Sequence, residues 1–504
     1  MTTIIVEGEI PSNLSEFDNY QVYNCLDAAI TSQLCPELKS QLDEDTAITY
    51  EWERKVHAIC LEMSIKGLPV DQMALAELDW RLEKQQRRCL KILNQLTDAI
   101  GAPITNPNST KAVPYLFYEH LGIPAVYSYD RKTKERKVVS DIKALEKIRG
   151  SYPIAVPFVN AILAYREVTK LRSVFKRGLE PGSGNLRGHF SPSGTETGRL
   201  SSQQNPYGRG TNLQNLTDEA RSVVCAPEGF ALINLDLKTA ESIAVGFISR
   251  CRSYIDACLS GDLHTAVSRL NWPELGWTDD LKKDKAIAES PYYRHFSYRD
   301  MAKRGGHGTN YYGKAPTLAK VLNLPTPVVQ DFQDKYFERF PEISEWHLRV
   351  ISQLMIDGTI TTQAHRKRRF WGRPDDAATH REAIAFDPQS LVAHVCNVGL
   401  YQCQRWLLRE CPEVSLLAQI HDAGLFIAPL HLVHDVIPEL QKHFLVSVDF
   451  NDLGVMQIPS DASIGLRWNK APKKGGSQLL RQGLMDYSPN QPLHWLANAA
   501  ALIS

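Results

Sequence analysis

The chain reads as an α+β protein, mostly helical, with an antiparallel sheet at its centre. Three observations carry that expectation. Apolar residues recur at helical spacing through much of 52–178 and again after 381. Two short apolar runs, ALINLDL (231–237) and LLAQIHDAGLFIA (416–428), each enclose one aspartate, Asp236 and Asp422, and an HDAG turn folds the second as a hairpin. Between them lies a basic helical stretch. An acid inside an apolar strand costs several kcal/mol unless it is paired, and a metal ion is its most effective partner. Either aspartate alone reads as a turn residue or a hydrogen-bonded core group. Together, with a cationic helix between them, they point to two-metal phosphoryl transfer.

The 504 residues suffice for two or three domains. Lys plus Arg equals Asp plus Glu at 57 each, so net charge says nothing about a polyanionic partner and local clustering must be read instead. No apolar run reaches the ~18 residues of a membrane span. MTTIIVEGEIPSN lacks the pattern of a signal peptide. The ten cysteines form no CxxC pair, as expected of reduced thiols in a cytoplasmic chain.

In order along the chain, residues 1–48 are too short for a domain and hold a helix, NYQVYNCLDAAITSQL, with Tyr23 and Asp27 four apart on one face. Trp52, Val56, Ile59 and Met63 mark a second helix, which Gly67 can end. Asp71 can cap a third, striped by Leu75, Leu78, Leu82, Cys89, Leu93 and Leu96 and closing near Gly101. Another helix begins after NPNST, and VYSYDRKTKERKV (126–138) has no core pattern, so it reads as an exposed tip. The helix at 161–178 is net positive, with Arg166, Lys170, Arg172, Lys176 and Arg177 against Glu167. It leads into GHFSPSGTETGRLSSQQNPYGRGTNLQN, whose Gly, Ser, Asn, Gln and Arg suit sugar, phosphate and minor-groove contact, or equally a long polar loop.

After the Asp236 strand a helix carries Glu241, and GDLHTAVSRL presents Asp262 and His264. A mixed excursion (271–297) precedes YRDMAKRGGHGTNYYG, where Arg299, Lys303, His307 and Tyr311 recur every four residues. On a helix they would form one stripe, stepping about 6 Å at 1.5 Å per residue, a spacing that suits a triphosphate. Gly305, Gly306 and Gly308 oppose a quiet helix, and a glycine loop with solvated charges is the other reading. HRKRRFWGR (365–373) sets basic residues beside Phe370 and Trp371, as nucleic-acid patches do. A helix runs from Arg381 through Gln389 to Trp406, the HDAG hairpin follows, and IPSDASIGLRW is expected to be the final strand before a tail that ends in a weak apolar helix.

Taken together, these stretches resemble the family A (DNA polymerase I-like) DNA polymerases, and among them a phage or other viral member. The motifs that carry the resemblance stand in family order from about Glu51 to Trp468: TGRLSS, NLQN, Asp236 to Glu241, DLH, R-x-x-x-K with Tyr311, R-x₇-Q and QIHD. The resemblance implies a right-hand fold: thumb 49–184, palm 185–253 and 381–468, fingers 254–380, a tail at 469–504 and an exonuclease-like remnant at 1–48. It implies a template-directed polymerase that adds dNTPs to a DNA primer. Asp236, Asp422 and the Leu237 carbonyl would bind two Mg²⁺, which Mn²⁺ could replace. Arg299, Lys303 and His264 would hold the triphosphate, with Lys303 the general acid. His307 would stand at the sugar, Tyr311 beside the templating pair, and Glu241 as a gate against the ribose 2′-hydroxyl. Arg166, Lys170, Arg199, Arg381, Gln389, Gln419 and His421 would contact DNA. Tyr23 and Asp27 resemble the last motif of a proofreading exonuclease, but no Asp-x-Glu precedes them, so proofreading would fall to a separate partner, as would processivity. A monomer in the cytoplasm, of the host if viral, is expected.

The departures are specific. Ala423 replaces the Glu that normally ends motif C, His307 stands for Phe or Tyr, Tyr312 fills a usual Gly, and Ile243 replaces an Arg. Two rivals follow. A single-subunit RNA polymerase or primase would share the aspartates but not Glu241, and a DNA-binding remnant would retain the cleft without catalysis.

Overall fold

The computed structural model describes residues 15–130, 135–472, 482–489, 493 and 496. Its fifteen strands are β1 Tyr127–Asp130, β2 Glu135–Val138, β3 His189–Ser191, β4 Ser201–Gln203, β5 Phe230–Leu237, β6 Pro291–Tyr293, β7 Phe296–Ser297, β8 Thr359–Thr361, β9 Lys367–Arg369, β10 Ser415–Ile420, β11 Ala423–Pro429, β12 Ser447–Asp449, β13 Val455–Gln457, β14 Ser460–Gly465 and β15 Met485–Asp486. Five of them form the central antiparallel sheet, in the order β10-β11-β5-β14-β15. The apolar run of β5 explains its middle position: Ala231, Leu232, Ile233, Leu235 and Leu237 are all buried. Against the sheet pack the long helix Ala377–Glu410 and the helix Val433–Phe444, and the helix Ala240–Ser249 packs on the long helix. The result is an α+β architecture, mostly helical, built on one central antiparallel sheet.

Two long helices, Gln72–Asp98 and Val156–Gly178, pack along each other. Asp71 caps the first by accepting from the amides of Met73 and Ala74, and Gly67 (φ +66°) closes the helix Glu44–Lys66 before it. Arg172 joins the pair through Asp79 at 2.7 Å. A second hydrophobic core, around Phe117, Leu145, Ile148 and Ile162, lies at the far ends of these helices and the segment between them. The helices between 252 and 357 gather around Tyr254, Trp272, Phe332, Tyr336 and Phe340, whose rings meet edge-on or tilted.

Several expectations need correction. IPSDASIGLRW is not the last strand: β15 adds to the sheet beside β14, and Gln482 accepts from buried Arg467 at 2.9 Å. Part of the stretch after 469 therefore joins the central sheet, while the expected terminal helix falls almost wholly outside the described residues. The HRKRR patch is largely neutralised. His365, Arg366 and Lys367 pair with Asp45 (2.7 Å), Glu53 (2.8 Å) and Asp43 (2.7 Å), while Arg368 meets Glu382 (2.7 Å) and Glu196. At its end Trp371 is exposed, with the Arg369 guanidinium 4.9 Å from its ring centre.

Candidate active site

The sheet register brings the two acids together. Asp236 lies opposite Ala423 of β11 and Asp461 of β14, and the Leu237 amide donates to the Asp422 carbonyl at 3.1 Å. A two-residue turn, His421-Asp422, joins β10 to β11, with His421 at φ +54°. A non-glycine residue in that region is uncommon and characteristic of functional sites. The Asp236 side chain is open to solvent, yet desolvation by the surrounding strands raises its pKa to about 6, aided by the charges of Asp422 and Asp461. Burial also raises that of Asp422, opposed by the nearby Arg199.

Arg199 is the hub. Its Nη2 lies 2.6 Å from Glu241 Oε1 and 3.8 Å from Asp422 Oδ1. Gly198 sets its approach at φ +79°, where a Cβ would strike the Arg366 guanidinium, and the Thr195 hydroxyl donates to the Arg199 carbonyl at 2.7 Å. Gln214, from NLQN, donates to Leu200 O (2.9 Å) and Gln419 Oε1 (2.8 Å), clamping TGRLSS to QIHD.

Above these acids stands the finger helix, Tyr298–Asp300, Met301–Gly305 and Gly306–Asn310, whose middle segment is a π-helix. Four-residue steps on an α-helix drift by about 40° each, from 3.6 residues per turn. The wider π turn takes up an extra residue and offsets that drift, so the glycine-rich stretch is a helix and keeps the stripe facing the cleft. His307 Nδ1 comes to 4.0 Å from Glu241 Oε2. The Tyr311 hydroxyl is buried without a hydrogen-bond partner; burial and the Glu241 charge push its pKa far up. At the other end Arg299 donates to Asp262 at 2.9 Å, and Asp262 caps the helix bearing His264. Burial, with Arg299 and Lys303 nearby, lowers the His264 pKa to about 4, so its imidazole is neutral at pH 7.

The structure thus gathers Asp236, Leu237, Asp422, Arg199, Glu241, His307 and Tyr311, with Arg299, Lys303 and His264 in a second group farther along the helix. Lys170, Arg381 and His421 are exposed, and Gln389 is half-buried. Two expected DNA contacts turn inward. Arg166 donates to the carbonyls of Pro107 at 2.9 Å and Ser140 at 2.5 Å, tying the thumb together. Gln419 is buried between Gln214 and the His421 carbonyl, where it supports the turn. The sequence reading missed Asp461, whose alternation partner in β5 is Asp236, and the holding role of Asp262. It also missed a groove of about 750 Å³ lined by Lys170, Ser173, Arg177, His189, Asn205 and Asn215, among others.

The donor set fits a hard divalent cation. Asp422 Oδ1 is buried with no hydrogen-bond partner, and the donors on offer are oxygens: two carboxylates and the Leu237 carbonyl. Among the described residues no three His, Cys, Asp or Glu side chains cluster to enclose a metal. An ion here would keep water or substrate oxygens, as Mg²⁺ characteristically does. No helix among the described residues is long and apolar enough to cross a membrane.

A palm sheet carrying paired aspartates beneath a cationic finger helix is the arrangement of the right-hand polymerases. The chain belongs to DNA polymerase family A, whose family model matches residues 75–470. It is 27% identical over 463 residues to the thermostable DNA polymerase I of Thermus aquaticus, covering 87% of this chain and 50% of that protein. To the Thermus filiformis enzyme it is 28% identical over 422 residues, covering 80% and 46%. The chain thus spans about half the length of these relatives. Among solved structures it resembles the POL domain of Pol1 from M. smegmatis, in complex with DNA primer-template and dNTP, with a TM-score of 0.63 and 22% identity over 83% of this chain and 70% of that one.

Proposed function

We propose that this chain adds dNTPs to the 3′-end of a DNA primer under template direction, by two-metal nucleotidyl transfer. The observation that carries the reading is the juxtaposition of Asp236 and Asp422, locked by the Leu237–Asp422 main-chain bond beneath Arg299, Lys303 and His307. Asp236, Asp422 and the Leu237 carbonyl would hold the Mg²⁺ ions, which supply charge neutralisation at the reacting phosphate. Mn²⁺ would substitute. Arg299, kept extended by Asp262, and Lys303 bind the β- and γ-phosphates, and Lys303 Nζ supplies the proton to the leaving pyrophosphate. His264, neutral at pH 7, acts as a hydrogen-bond donor there. Glu241 stands where a ribose 2′-hydroxyl would lie, and Tyr311 packs beside the nascent pair. Lys170, Arg199, Arg381, Gln389 and His421 contact primer or template.

The thumb spans 49–184, the fingers 254–380, and the palm 185–253 and 381–468 together with β15. Proofreading and processivity reside with separate partners, and the chain acts as a monomer. Primer extension tests the reading. Asp236→Asn and Asp422→Asn should each lower it at least ~10³-fold while primer–template binding stays near wild type. Near-normal extension by both would remove the mechanism. Binding without extension in Mg²⁺ or Mn²⁺ by the wild-type chain would favour a DNA-binding remnant, a reading motivated by Ala423. Ready rNTP incorporation would favour the RNA polymerase rival.

A further inference from the structure

We propose that Tyr207 is a fixed peg that packs into the minor groove of the primer–template duplex, upstream of the primer end. This rests on the reading that the groove between thumb and palm holds duplex DNA. Tyr207 is 89% exposed at the tip of the loop between β4 and NLQN. A single exposed apolar side chain is ordinary. What sets this one apart is the way its loop is fastened. Asn205 Oδ1 accepts from the amides of Tyr207 (3.1 Å) and Arg209 (3.0 Å), and the Asn205 amide donates to the Arg209 carbonyl at 2.8 Å. The Gly208 amide returns to Asn205 O at 2.9 Å, and that of Gly210 reaches the thumb at Arg177 O, 2.8 Å away. Gly208 and Gly210 adopt φ +74° and +96°, which side-chain-bearing residues rarely take. The loop is therefore ordered before any ligand arrives, which removes most of the entropy cost of presenting an aromatic ring.

The ring's surroundings define its ligand. The adjoining groove offers Lys170, Arg177, His189 and the amide side chains of Gln203, Asn205 and Asn212, and no carboxylate among the described residues lines it. Cations and neutral donors without an acid suit the sugar–phosphate edges of a polyanion and read no sequence. At its inner end the groove reaches Asn215, next to Gln214, which clamps the Asp422 turn. The duplex path runs outward from the reacting end, and Tyr207 meets it away from the chemistry.

The test is the affinity of labelled primer–template, measured by anisotropy without dNTP and therefore independent of catalysis. Tyr207→Ala should raise the Kd on the order of tenfold, the scale of burying one aromatic ring. Tyr207→Phe should bind like wild type, and Asn205→Ala should share the defect without adding to it in the double mutant. Stepwise removal of base pairs from the upstream end of the duplex should erase the difference between wild type and Tyr207→Ala, and base composition should not matter. An unchanged Kd for Tyr207→Ala, or an equal loss on the shortest duplex, would overturn the proposal. If the wild-type chain binds but never extends, while Tyr207→Ala still binds less, the peg survives and the polymerase reading falls.

Discussion

Arg199 bridges Glu241 and Asp422, its Nη2 2.6 Å from one carboxylate and 3.8 Å from the other. One guanidinium therefore ties the proposed sugar gate to a proposed metal ligand. It supplies positive charge to an acid whose Oδ1 has no hydrogen bond. Arg199→Ala should lower the kcat/KM of single-nucleotide incorporation by on the order of 10²-fold, the scale of losing one aimed charged donor in an active site. Arg199→Lys should recover part of this, because an ammonium keeps the charge but not the planar fork. Single-turnover incorporation checks both. A drop in Tm with unchanged kcat/KM would reduce Arg199 to a structural strut.

The protonation of Asp236 gives a prediction with a sign. Its pKa is raised from 3.8 to about 6, chiefly by the desolvation that the neighbouring strands impose on a carboxylate still open to solvent. The folded protein thus holds this proton more tightly than the unfolded chain. That contribution to stability is present at acid pH and is lost as pH rises from about 4 to about 6. Asp236→Asn should therefore raise Tm above pH 6 and leave it unchanged near pH 4, as calorimetry would show. Cation binding needs the carboxylate free of its proton. Mn²⁺ affinity of the wild-type protein, followed by electron paramagnetic resonance, should fall below pH 6 by about tenfold per pH unit. A flat profile between pH 5 and 7 would separate Asp236 from the metal.

Glu241 is held by Arg199 from one side and lies beside His307 and Tyr311 on the finger helix. Its carboxylate is therefore fixed in place, as a steric gate has to be. Glu241→Ala should cut the preference for dNTP over rNTP at least tenfold, the scale on which a single contact discriminates. Competing incorporation of matched dNTP and rNTP measures this. Unchanged selectivity would place sugar discrimination elsewhere.

Much of this arrangement was legible in the sequence because local rules agreed with the fold. The apolar frame around Asp236 predicts a central strand, Asp71 and Gly67 bound their helices, and HDAG forms the predicted hairpin. What stayed hidden depends on partners distant in sequence. Nothing near Arg166 shows that Pro107 and Ser140 will take its guanidinium, and nothing in QIHD shows that Gln419 points inward to Gln214. The π turn is equally invisible to a four-residue count, which matches the stripe without revealing what keeps it straight. Asp461 escaped notice because its significance is a matter of register with β5.

The basic run at 365–369 illustrates the same point and can be tested. Arg366 and Glu53, both mostly buried, pair at 2.8 Å and join the helix Glu44–Lys66 to the β8–β9 hairpin. Arg366→Ala should destabilise the fold by about 1–3 kcal/mol, the range for a hydrogen bond to a charged group, and leave DNA affinity nearly unchanged. Trp371→Ala and Arg369→Ala should do the reverse, since both side chains are open to solvent. Urea unfolding and primer–template titration of the three variants decide the matter. Weaker DNA binding by Arg366→Ala at full stability would restore the expected patch.

Asp387 sits within the helix Ala377–Glu410, immediately before Pro388, with Oδ1 buried and lacking a hydrogen bond. Burial alone raises its pKa from 3.8 to about 7. The helix can accommodate the acid when it is neutral, but at higher pH it must hold an uncompensated charge in an apolar setting. As with any acid whose folded pKa is raised, the stabilising contribution is complete at low pH and disappears as pH climbs from about 4 to about 7. Asp387→Leu should therefore raise Tm above pH 7, by on the order of 5 °C, and have little effect near pH 4. Calorimetry of both proteins across this range tests the sign as well as the size. If Tm is unchanged at every pH while primer extension is lost, Asp387 serves the reaction and its burial is part of the site.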